Sequence, residues 1–214
     1  MEETTLDQIP RKTRELYEKA MSALERGNAG YALDMLKQVI AVEPRFALGR
    51  QNLRIAQVKI ALAGKPNAMT HQLSTLKGTF TLMGAQGKLK KDHKAALEGA
   101  EKLLAIDPLN LQFLKFFAQA AEAAEMSELA VQTLEIARPY YAKNVEFLRL
   151  LARLYIETNQ PAGAKDCYAA VAELLPNDQL AIKNLKDAAA LDTMKAGGWN
   201  DMKSDFRSKL KDKK

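Results

Sequence analysis

A protein chain does chemistry with nucleophiles, proton carriers or metal ligands held at matched distances, and this sequence offers few of them. His71 and His93 are its only imidazoles and Cys167 its only thiol. No combination of the three has the spacing of a zinc or other His/Cys metal set. Both histidines are therefore expected on the surface. Cys167 precedes an apolar helical position at Tyr168 and is expected to be structural. Nucleophile elbows, zincin helices and phosphate-binding loops leave recognisable strings, and none is present. Gly84-Ala85-Gln86-Gly87-Lys88 shares only glycines and a lysine with a phosphate loop. It lacks the spacing, the following hydroxyl and a preceding strand, so it is expected to be a break between helices. Glu98 and Glu101 lie three apart on an ordinary amphipathic stretch. No catalytic residue, cofactor or metal is expected, and the chain is expected not to be an enzyme.

The residues that do form a pattern are cationic, and their chemistry is anion recognition. Residues 45–95 hold ten basic side chains against Asp92 alone, a net charge of +9, whereas the whole chain is +6. Arg50, Arg54, Lys88, Lys90, Lys91 and Lys94 are the candidates for contact with an anionic surface, nucleic acid or membrane. Helical spacing would spread such residues over several faces, so a solvated surface with no partner is the competing expectation.

These side chains need elements to hold them, and composition points to helices. Ala is abundant and Gly, Pro, Val and Thr are sparse, which favours residues that lose little freedom in a helix. One cysteine makes no internal disulfide, so the fold does not depend on an oxidising compartment. The acidic, polar start does not read as a signal peptide, and no stretch is apolar enough to span a bilayer. The expected location is cytoplasmic.

The helices recur with a fixed period. The stretches Ala32 to Pro44, Ala96 to Pro108 and Ala164 to Pro176 each run twelve positions from a small residue to a proline, apolar at helical spacing between. Ala130 lies 34 residues from both Ala96 and Ala164 and opens a fourth copy, with Ala142 in place of its proline. Gly27-Asn28, Met126-Ser127 and Asn159-Gln160-Pro161 supply turn, N-cap and first-turn residues between helices.

This period and its small and large positions resemble the tetratricopeptide repeat over about residues 13–192. Leu148, Leu151, Ala152, Tyr155, Ala164, Tyr168, Val171 and Pro176 match the family's signature in repeat 145–178. Leu114, Phe117, Ala118, Ala121, Ala130, Leu134 and Ala137 do so in repeat 111–144. Leu16, Ala20, Ala23, Ala32, Leu36, Ile40 and Pro44 do so in repeat 13–46. The aromatic usual at the fourth position is absent throughout, and Lys19 replaces a leucine. The resemblance implies an all-α, right-handed α-solenoid of helical hairpins, with a leader at 1–10, a repeat domain at 11–192 and a basic tail at 193–214. Its small residues let paired helices approach, so a bulky substitution at Ala152 or Ala164 should cost about 1–3 kcal/mol. Phe113, Phe116 and Phe117 are expected to pack between helices.

Within that frame the middle is irregular. Pro44 and Pro108 are 64 residues apart, four short of two periods. Residues 47–110 are expected to hold three helices, about 46–62, 67–83 and 89–106, where two repeats would need four. Residues 179–192 are expected to form a capping helix with Lys183, Lys186 and Asp187 on its polar side. Beyond it the tail holds Trp199 and Phe206.

The resemblance also implies a groove lined by the first helix of each hairpin. Its inward positions fall on Gln112, Lys115, Gln119 and Glu122, then on Glu146, Arg149, Arg153 and Ile156. Lys115, Arg149, Arg153 and Lys183 would form a basic ladder, with Gln119 beside it, fit for an acidic or C-terminal peptide. Pairing with Glu122, Glu146 and Asp187 is the competing arrangement. Leu150 and Gln119 stand where chaperone-binding relatives carry clamp asparagines, so chaperone-tail binding is not expected. The expected function is a scaffold or adaptor that binds a protein or peptide, as a monomer or weak dimer. The alternative is an adaptor for an anionic surface through 45–95.

Overall fold

The protein is described by a computed structural model, which covers residues 4–197 here. All regular structure among these residues is helical, apart from an isolated bridge between Thr4 and Phe46. The chain separates into two compact units, Met1–Tyr140 and Tyr141–Lys214.

In the first unit, α1 (Arg11–Glu25) and α2 (Ala29–Val42) form a hairpin. Gly27 turns between them with φ +79°, and Asn28 caps α2 by accepting the Tyr31 N–H at 3.2 Å. Ala20 and Ala32 are fully buried at the contact, as their small size requires. Tyr17 meets Phe46 edge-on, with ring centroids 4.9 Å apart. Burial pushes the Tyr17 phenol above its ordinary range, and the hydrogen bond from Asn52 pulls the other way.

The middle helices are α3 (Ala47–Ala63), α4 (Ala68–Lys88) and α5 (His93–Ile106). Three helices were expected here, and three are present. Their pairing was not readable from spacing. α4 forms a hairpin with α5, while α3 packs on α2 and on α7 (Ser127–Ala137) rather than on α4. α6 (Leu111–Ala123) lies between α5 and α7 and buries Phe113, Phe116 and Phe117 as expected.

The expected break at Gly84–Gly87 does not occur, because α4 continues to Lys88. A glycine costs a helix about 1 kcal/mol relative to alanine, and tertiary contact offsets that here. Ala85 is buried against Gly99 of α5, where an added Cβ would lie 2.5 Å from the Ala85 Cβ. The turn falls instead at residues 89–92, and Asp92 caps α5 by accepting the Ala95 N–H at 3.0 Å.

In the second unit, α8 (Val145–Glu157) pairs with α9 (Pro161–Leu174), and α9 with α10 (Gln179–Ala196). Asn144 and Asp178 cap α8 and α10 through their side chains. Pro161 opens α9, where its missing N–H is no loss. Ala152 and Ala164 are fully buried, and Cys167 is buried beside them on α9. The Tyr155 ring lies over Gly163, whose place would not admit a Cβ. Trp199 and Phe206 lie outside the described residues.

Candidate functional site

The excess of positive charge lies in residues 45–95, and the structure divides its members by their surroundings. Arg54 is only 3% exposed. Its guanidinium donates to Glu101 Oε2 on α5 at 2.6 Å and sits 5.4 Å from the centre of the Phe117 ring. Arg50 is half-buried, donating to Glu101 Oε1 at 3.3 Å and to the Pro44 carbonyl at 2.6 Å. Both were expected on an anion-binding surface, and both point inward instead. The reason is geometric: α3 leaves α4 and packs toward α7, which turns its arginines onto Glu101.

Lys88, Lys90, Lys91 and Lys94 are exposed where α4 gives way to α5. The one carboxylate among them, Asp92, is engaged as the α5 cap.

On α6, Gln119 is exposed and Lys115 half-buried. On α8, Arg149 and Arg153 lie one turn apart, with half-exposed side chains. Arg149 pairs with Asp178 at the start of α10, not with the acidic residues named from sequence. Arg153 pairs with Glu157 at 3.4 Å along its own helix. Lys183 is exposed on α10. Burial raises the Tyr168 phenol on α9, and the Cys167 side chain adds to this, while Arg153 and Arg149 lower it.

His71 was expected on the open surface, and the structure corrects this. Its ring is half-buried, with Nδ1 at 2.7 Å from Asp107 Oδ2 and Nε2 at 3.0 Å from the Tyr140 hydroxyl. Asn110 Nδ2 donates to the His71 carbonyl and to Thr75 Oγ1, both at 2.9 Å. Asp107 Oδ1 accepts the Leu109 N–H at 3.1 Å. Burial, then the Asp107 charge, pushes the Tyr140 phenol up. A lone histidine carries no sequence signal for such a chain of contacts, because Asp107 and Tyr140 are 36 and 69 residues away. The chain of contacts joins the start of α4 to the α5–α6 turn and to the segment after α7. It includes no serine or cysteine nucleophile. His93, by contrast, is exposed.

Among the described residues no group of three or more His, Cys, Asp or Glu side chains is placed to hold a metal ion. No helix among them is long and apolar enough to cross a membrane.

The helices and their hairpin pairings define an all-α protein of packed helical hairpins among the described residues. No family model matches the chain, and no curated protein does. Among solved structures it is similar to the MamA protein, at 13% identity over 89% of this chain and 88% of that one, with a TM-score of 0.41. It is also similar to a thermophilic TPR protein of Thermus thermophilus. There the identity is 20% over 86% and 85% of the two chains, with a TM-score of 0.39. A tetratricopeptide repeat protein from Parabacteroides merdae matches at 17% over 92% and 80%, with a TM-score of 0.40. Similarity at this level carries nothing about a ligand or partner.

Proposed function

We propose that the chain is a non-catalytic interaction scaffold that binds a protein or peptide through basic positions on its helix faces. The carrying observation is on α8, where Arg149 and Arg153 present guanidiniums one turn apart and half-exposed. Guanidinium groups bind carboxylates in a two-pronged geometry that lysine does not reproduce. Lys183 adds a third cation on α10 of the same unit. The ligand is an acidic or C-terminal peptide, whose carboxylates would exchange with Asp178 and Glu157. Lys115 and Gln119 on α6 form a separate polar position in the first unit.

The test compares capture of proteins from a lysate by the wild-type chain with capture by Arg149→Ala/Arg153→Ala and by Lys183→Ala. Loss of the acidic captured species in the arginine variant is expected. Equal capture by all three chains would remove the stated mechanism.

A second reading rests on Lys88, Lys90, Lys91 and Lys94. Four exposed lysines at one helix junction, with their one carboxylate engaged, can take a nucleic acid or an anionic lipid surface. RNA and phosphatidylserine vesicles both ignoring the chain at low salt would end that reading.

A further inference from the structure

The outer face of α4 carries Met69, Leu73, Leu76, Phe80 and Met83, exposed by 77%, 53%, 72%, 87% and 65%. Single exposed apolar residues need no explanation, but five along one helix make a contiguous patch. Their spacing alternates between four and three residues, the 3.5-residue average that keeps two helices in register along a common seam. At helical pitch the five fall within an arc of roughly 80°. The broad apolar face of a helix lying in a bilayer is wider than this. The arc is the width that one partner helix covers.

The opposite side of α4 is already taken up. Gly78, Leu82 and Ala85 are buried there, with Gly78 against Phe113 and Leu103 and Ala85 against Gly99. The seam's borders are polar. Lys77 and Lys88 lie along one border and Gln72 and Gln86 along the other, all four exposed. No carboxylate occurs anywhere between Glu43 and Asp92.

We propose that the outer face of α4 is a docking seam for a single amphipathic helix of another protein, apolar at heptad spacing and acidic on its flanks. Charge decides against a second copy of this chain as the occupant. A second copy would bring two carboxylate-free helices together, each with Lys77 and Lys88 along its border, and like charges along a shared seam repel. The five side chains expose roughly 600 Å², so a helix covering them would bury about 1,200 Å² in total, the lower end of a specific interface. The seam lies in the first unit and shares no residue with the Arg149–Arg153 position, so either can fail alone.

The test uses the full chain and two synthetic three-heptad peptides, read by fluorescence anisotropy. One peptide has leucine at the seam positions and glutamate on the flanks, and the other is its scrambled sequence. The Arg149→Ala/Arg153→Ala chain, which lacks the proposed acidic-peptide position on α8, is the reference for every comparison and is expected to bind the first peptide and not the second. Leu76→Gln/Phe80→Gln should weaken binding by about tenfold or more. Lys77→Glu/Lys88→Glu should weaken it less and flatten its salt dependence. The substituted side chains are exposed, and melting curves check that each variant still folds. Equal binding of both peptides, no binding, or unchanged binding by Leu76→Gln/Phe80→Gln would overturn the proposal. So would a dimer that Leu76→Gln/Phe80→Gln abolishes, or uptake by phosphatidylserine vesicles in preference to the peptide. The first would assign the seam to a second copy and the other to lipid.

Discussion

Arg54 and Glu101 lie 47 residues apart in the chain and 2.6 Å apart in the fold, and their pairing joins α3 to α5 inside the first unit. The guanidinium is almost wholly buried, whereas the carboxylate keeps a quarter of its side-chain exposure and also holds Arg50. A buried ion pair does little net good compared with apolar packing, but removing one partner strands the other charge. Glu101→Gln should therefore lower stability by about 3 kcal/mol. Arg50→Ala removes a more exposed pair and should cost about 1 kcal/mol or less. Denaturant unfolding of the two variants checks the ranking, and a larger loss in Arg50→Ala would contradict it.

Glycines in α4 should respond with opposite signs. An added Cβ at Gly78 would lie 2.5 Å from Phe113 Cζ and 2.9 Å from Leu103 Cδ2. Gly78→Ala should cost about 1–3 kcal/mol by overpacking the α4–α5–α6 contact. Gly84 and Gly87 meet nothing within 4 Å and lie in the same helix. Alanine at either should stabilise by about 0.5–1 kcal/mol, because it narrows the unfolded ensemble and suits the helix. Thermal melts of the three single variants test this.

His71 should matter to stability through its two ring contacts. Replacing it with alanine removes both ring contacts and leaves the buried Asp107 carboxylate with the Leu109 N–H as its named donor. The expected loss is about 1–3 kcal/mol. Tyr140→Phe removes the contact with His71 Nε2 and the hydroxyl's donation to the Pro66 carbonyl, and should cost about 1 kcal/mol. A histidine lying idle on the surface would give no change in either variant.

Tyr168 reports on the arginines of α8. Burial raises its phenol above the ordinary tyrosine range, while Arg153 and Arg149 favour the phenolate. Removing both arginines should move its ionisation to still higher pH. The folded state holds this proton longer than the unfolded chain does. Its contribution is therefore fully present below the ordinary tyrosine range and is lost as pH rises above it. Ultraviolet titration of wild type and Arg149→Ala/Arg153→Ala, each subtracted from a Tyr168→Phe background, gives the direction. An unchanged midpoint would separate the arginines from the ring.

Periodicity sufficed for the number of helices and for the burial of their small residues. Ala20, Ala32, Ala152 and Ala164 recur at matching positions, and all four are fully buried. Side chains that face a neighbouring helix must repeat with the helix, so their pattern survives in one dimension. The caps were local too, since Asn28 and Pro161 act within a few residues of themselves. Tertiary structure alone decided the partner of α3, the passage of α4 through its glycines, and the surroundings of Arg54 and His71. Each depends on contacts between residues distant in the chain. Composition counts Arg54 and Lys88 equally as cations, yet packing buries one against Glu101 and leaves the other in solvent. The apolar seam of α4 was open to the same limit. Its residues have the spacing of a core face, and only the arrangement of α5 and α6 on the opposite side shows that nothing among the described residues of the first unit covers it.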